Sequence, residues 1–181
     1  MIYPIKRVGI TLLNLFTMLL WDLLLFIMTI LSTIAYSNIK NLNDEINSVK
    51  SSNVNDSGIQ GIIRLNLVLI IMLWIFFFIF IPLTYLGQAN PYNNGAILSF
   101  AILLSIFILI VSIISLVALN NQNLTNDQSK TAKSCYVGMI IISVFVIVAY
   151  GIYVPISIYK YKKSGGLTKD IQNAFSSLLL K

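Results

Sequence analysis

Histidine is absent from this chain of 181 residues, and glutamate occurs once, at Glu45. A bis-histidine haem, a histidine-bearing zinc site and a Ser-His-Asp triad therefore cannot be assembled from it. No catalytic, cofactor-binding or metal-ligating set is expected, and no cofactor. Cysteine is equally scarce: Cys135 stands alone, so no disulfide within the chain can staple a loop. Charge is the third shortage. Only 10% of the residues are charged, against about 25% in soluble domains, too few to cover a water-facing surface. The remaining charge is basic, with a net value of +6. The cations flank apolar runs and form no patch interleaved with aromatics, so the expected partners are anionic headgroups and not nucleic acid.

What the chain has in abundance is apolar sequence in long blocks, 57% of all residues. Four blocks are long enough to cross a bilayer, which takes about 20 residues. They cover residues 9–36, 62–86, 96–119 and 134–158. The first is too long for the apolar core of a signal peptide and is interrupted by Asp22, so it reads as a retained anchor. The connection at 87–95 is short, uncharged and full of turn formers, which makes the second and third spans oppositely directed neighbours. The expected fold is an all-α membrane protein, with four transmembrane helices in an antiparallel bundle over residues 1–163 and a C-terminal amphipathic helix over 164–181.

An even number of spans puts both termini on one side. That side carries Lys6, Arg7, Lys160, Lys162, Lys163, Lys169 and Lys181, and the other carries Lys40, Lys50, Arg64, Lys130 and Lys133. The positive-inside rule then places both termini on the cytoplasmic or equivalent side. The sequons at Asn55 and Asn123 fall in the opposite loops.

Within the spans, polar residues are few enough to weigh singly. Asp22 lies near the middle of the first, where an acidic group costs about 2.5 to 3.5 kcal/mol on insertion scales. At 100° per residue Thr11, Asn14, Asp22, Thr29, Ser32, Thr33 and Tyr36 share one arc of that helix, which should face protein. Thr17 and the indole of Trp21 lie outside the arc. Asp22 is either a proton or cation site or a neutral, hydrogen-bonded packing residue, the latter favoured because no basic residue lies at its depth. Ser105, Ser112 and Ser143 are the expected donors to it. Ala101, Ser105, Ser112 and Ser115 on the third span, and Ser134 with Gly138 on the fourth, mark helix-packing seams of small residues. Pro82 and Pro155 fall near span ends, where each can kink its helix.

Outside the spans, Ile39, Leu42, Ile46 and Val49 follow alternating spacings of three and four residues. That pattern extends the first helix outward as an amphipathic stalk of about two heptads. In the tail, Leu167, Ile171, Ala174, Phe175, Leu178 and Leu179 line one helical face behind Lys160, Lys162 and Lys163. Such a helix lies on a membrane surface or docks on a neighbour. The expectation for function is a non-catalytic scaffold or accessory subunit of a larger membrane assembly, such as a respiratory or organellar complex or a virion membrane layer. Its expected partners are the lipid bilayer and other membrane subunits. The alternatives are a small transporter or channel component using Asp22, and a subunit shaping a lipid or quinone pocket in a membrane enzyme.

Overall fold

The computed structural model describes residues 3–49, 56–86, 91–121 and 126–163, with side chains described over 16–44, 58–79, 97–121, 126–159 and at 163. It is all-helical: α1 (Tyr3–Val49), α2 (Asp56–Leu86), α3 (Pro91–Asn121) and α4 (Asp127–Lys163). Each helix contains a stretch long and apolar enough to cross a membrane, namely Phe16–Asp44, Gly58–Ile79, Ile97–Asn121 and Asp127–Tyr159. Four such candidate spans are the mark of a multi-pass integral membrane protein. The physical reason for unbroken helices is that hydrocarbon offers no partner to a backbone amide, so every one must be paired within its own segment.

The helices outrun the stretches that hydropathy alone delimits. With 47 residues, α1 is about 70 Å long at 1.5 Å per residue, more than twice the roughly 30 Å of a hydrocarbon core. Its outward continuation reaches Val49, and Ile39 and Leu42 on that continuation are fully buried. α4 begins at Asp127, seven residues before the apolar block that starts at Ser134. Its first turn is closed by the Lys130 amide donating to the Asn126 carbonyl at 3.1 Å, and Asp127 there complements the positive end of the helix dipole. At the far end Pro155 lies inside α4 without ending it, since the helix continues to Lys163. Pro91 opens α3, a position where the missing amide hydrogen costs no helical bond. The expected tail helix over 164–181 and the 87–90 connection lie outside the described residues.

Each helix buries residues at alternating intervals of three and four. On α1 these are Met18, Trp21, Leu25, Met28, Ser32, Ala35, Ile39 and Leu42; on α2, Ile59, Ile62, Asn66, Leu69 and Leu73. On α3 they are Leu98, Ala101, Ser105, Ile108, Ser112, Ser115 and Leu119; on α4, Ser129, Ala132, Tyr136, Met139, Ser143, Val146 and Tyr150. This is the heptad pattern of knobs-into-holes packing, here carried through the apolar spans. α1 packs on α2 and α4, α3 packs chiefly on α4 and less on α2, and the backbones of α2 and α4 stay apart among the described residues. The outward faces carry large exposed apolar side chains, among them Phe16, Leu23, Ile30, Ile71, Phe78, Leu103, Ile110, Ile141 and Ile152.

Candidate functional site

Among the described residues two polar groupings that join helices interrupt the apolar interior, and both involve a tyrosine of α4. The first is at Asp22. α1 turns Trp21 fully into the seam, which leaves Asp22 one position round the helix, half-buried with its Oδ1 out of reach of solvent. Across from them on α4 stands Tyr150. Its ring meets Trp21 edge-on, with centroids 6.5 Å apart at 75°, the geometry that sets a positive ring edge against a negative face. Its hydroxyl donates to the Thr17 carbonyl at 2.9 Å, and it lies within electrostatic range of the Asp22 carboxyl. The neighbour that α4 offers Asp22 is thus a phenol. Ser143 instead donates to the Met28 sulfur at 3.9 Å, and the buried hydroxyls of Ser105 and Ser112 have no hydrogen-bond partner among the described residues.

The second grouping lies nearer the other end of the seam. Asn66 of α2 is fully buried; its amide donates to the Ile62 carbonyl of its own helix at 2.8 Å and to the Ser115 hydroxyl of α3 at 3.2 Å. The Tyr136 phenol of α4, fully buried as well, faces Asn66 and Ser115. Three helices therefore contribute one polar group each to a single layer. A buried asparagine at a seam position is a device that fixes register in heptad packing. Asn66 and the two tyrosines were not among the residues singled out from sequence. Their signal was the same three-four spacing as their apolar neighbours, invisible where both faces of a helix are apolar.

The other residues singled out from sequence distribute unevenly. Thr29 and Ser32 are buried, and the Thr29 hydroxyl donates back to the Leu25 carbonyl at 2.8 Å. Thr33 is exposed, its hydroxyl satisfied by the Thr29 carbonyl at 2.8 Å. Only one edge of the polar arc of α1 thus faces protein, and Trp21, outside the arc, faces it fully. The reason is that a threonine hydroxyl can be satisfied on its own helix and face lipid, whereas the bulk of Trp21 gains most from packing. The side chains of Thr11 and Asn14 lie outside the described residues.

Ala101, Ser105 and Ser112 occupy the α3 seam as fully buried residues. At Gly138 α1 lies close against α4: a Cβ placed there would stand 3.2 Å from Leu31 Cδ1. Ser134 is exposed and donates to its own helix at the Lys130 carbonyl, 3.0 Å away, while Cys135 and Tyr136 beside it take the buried positions. Lys163 is exposed at the end of α4; the side chains of Lys160 and Lys162, and all of Phe175, lie outside the described residues. Among the described residues no three acidic or cysteine side chains come together as a metal site would require. No known protein family, curated protein or solved structure matches the chain.

Proposed function

We propose that this protein is a non-catalytic scaffold or accessory subunit of a larger membrane assembly, built as an antiparallel four-helix bundle with both termini on the cytoplasmic or equivalent side. The antiparallel arrangement is supported by the contact pairs. Across α1 and α4, Thr17 meets Tyr150, Met28 meets Ser143 and Leu31 meets Gly138; across α2 and α3, Asn66 meets Ser115 and Phe76 meets Phe100. In each set the numbers rise on one helix as they fall on the other. The sidedness is supported by the seven basic residues of the terminal side against five opposite.

The observation that carries the scaffold reading is the seam of α1. Met18, Trp21, Leu25, Met28, Ser32, Ala35, Ile39 and Leu42 are all at most 1% exposed, so the interior along α1 is filled with packed side chains and not left as a lumen. The work of such a molecule lies on its outside, where rows of isoleucine, leucine and phenylalanine meet lipid or other helices. Native purification in mild detergent, followed by mass spectrometry, tests this: defined membrane subunits should co-purify in fixed proportion, and a monodisperse single species would refute it.

A second reading, a small transporter or channel component, is favoured by one observation: an acidic residue and a phenol from two helices share the membrane interior at Asp22 and Tyr150. Asp22→Asn separates the two. A structural role predicts that assembly survives, because the amide still hydrogen-bonds. A transport role predicts that ion flux into vesicles is lost while assembly survives. Wild-type protein without measurable flux rejects transport.

A further inference from the structure

We propose that the bundle end where α1 finishes at Val49 and α4 begins at Asp127 carries an arc of cations that holds anionic phospholipid headgroups. The proposal rests on the antiparallel arrangement above. Leu31 against Gly138 and Met28 against Ser143 set the register of α1 on α4, and Phe26 against Phe77, with centroids 5.4 Å apart, sets that of α1 on α2. Followed outward residue for residue, this register brings Lys40 of α1 level with Arg64 of α2 and with Lys130 and Lys133 of α4, to within about one helical turn.

Lys40, Arg64 and Lys130 are exposed and Lys133 is half-buried. Towards the membrane, beyond the exposed hydroxyls of Ser37 and Ser134, the exposed side chains are mostly apolar, among them Ile34, Leu67, Val68 and Val137. Away from it they are polar: Asn41, Gln60 and Asp127. The four cations therefore stand on the border between hydrocarbon-facing and water-facing surface, the depth at which lipid phosphates lie. Lys130 shares its charge with Asp127 at 3.4 Å, and Asp44 is exposed one turn farther out on α1. Lys40, Arg64 and Lys133 form no ion pair among the described residues. Behind them Ile39, Ile62 and Ala132 are buried in one cluster, which fixes the backbone from which they project. α3 carries no charged residue, so the arc spans α2, α1 and α4 and leaves one side of the bundle bare. A guanidinium able to grip phosphate with two parallel bonds, set among ammonium groups, suits a phosphodiester headgroup.

The test uses the full chain in lipid nanodiscs of phosphatidylcholine containing a minor share of phosphatidylglycerol, with the lipid retained on the protein read by native mass spectrometry. Wild type should retain phosphatidylglycerol in preference to phosphatidylcholine. Lys40→Gln, Arg64→Gln and Lys133→Gln should each cut that preference by roughly fivefold. Thermal melting in pure phosphatidylcholine shows whether the variants remain folded. Should a variant fail to fold, Lys40→Arg and Lys133→Arg take its place and must keep the preference, while salt must weaken it in wild type. Unchanged retention in the glutamine variants, or equal retention of both lipids by wild type, overturns the proposal. Displacement by millimolar inorganic phosphate overturns it too, since the site would then read any phosphate anion. A disulfide formed between Met28→Cys and Ser143→Cys in a Cys135→Ser background reports the helix arrangement separately. If it forms and no lipid preference exists, the arc alone is wrong; if it does not form, the arrangement and the arc fall together.

Discussion

Replacing glycine by alanine at three places in this molecule asks whether α1 and α4 touch where the structure puts them. In an isolated helix the change stabilises by about 0.8 to 1.0 kcal/mol, because glycine loses the most backbone freedom on folding. At Gly61 and Gly151 an added Cβ meets nothing within 4 Å, so both variants should be more stable by an amount of that order. At Gly138 the same atom would stand 3.2 Å from Leu31 Cδ1, closer than ordinary van der Waals contact. The tip of a leucine can give a few tenths of an ångström, so Gly138→Ala should come out near neutral, its propensity gain offset by the displacement. A larger residue has no such escape: Gly138→Leu forces the helices apart and should destabilise by about 1 to 3 kcal/mol. Gly151→Leu, on an exposed stretch of the same helix, should not. Equilibrium unfolding in mixed micelles measures each, and Leu31→Ala should rescue most of the Gly138→Leu loss, since it removes the side chain that is struck. Leucine tolerated at 138 as well as at 151, or no rescue by Leu31→Ala, would show that α1 and α4 do not touch there.

Other substitutions probe the polar groups one at a time. Tyr150→Phe deletes the hydroxyl that donates to the Thr17 carbonyl and should cost about 0.5 to 1.5 kcal/mol in the same unfolding assay, with the Trp21 contact retained. A double-mutant cycle on Asn66→Leu and Ser115→Ala should give a coupling of about 0.6 kcal/mol and no more than about 1.7, the range for hydrogen bonds between membrane helices. Zero coupling would show the 3.2 Å contact to be incidental. Ser112→Ala removes a buried hydroxyl that has no partner among the described residues, so the loss should stay below about 1 kcal/mol; a larger loss would reveal a partner.

Much of this architecture is legible in the sequence, and the parts that are not share one cause. Four apolar blocks separated by polar connections suffice to expect four spans, because the length of a helix across hydrocarbon is fixed by the bilayer. The ends are harder to read. A helix has no reason to stop at the headgroups when its next residues still bury a stripe, as Ile39 and Leu42 do on α1 and Ser129 and Ala132 do on α4. The seam itself is hidden by the solvent. In water, core positions announce themselves by being apolar among polar neighbours, a contrast that within the described helices the stretch from Ile39 to Val49 shows. Inside the spans lipid makes the outer face as apolar as the inner, and Leu25 and Leu73 in the seam read like Leu23 and Leu103 outside it. What survives is the placement of small and polar residues, such as Ala101, Ser105 and Ser112, which lie buried on α3. It said less about α1, where Trp21 and Met28 hold the seam and Thr33 faces outward.

That inversion bears on how such a bundle holds one register. Apolar knobs in a uniform seam are nearly interchangeable, so a slip of one helix by a heptad exchanges leucine for isoleucine or methionine at little cost. Polar groups are not interchangeable, because a separated donor finds no water in hydrocarbon to replace its partner. The two groupings described here sit toward opposite ends of α4, at Tyr136 and at Tyr150. A slip of α4 by seven residues moves Tyr136 away from Asn66 and Ser115 and carries Tyr150 past the Thr17 carbonyl in the same step. Each grouping taken alone leaves α4 free to pivot about it, whereas two along one helix fix both its height and its tilt against α1, α2 and α3. A helical bundle that is to present one outer surface each time it folds needs that constraint, and in this chain a few buried polar side chains are placed where they can supply it.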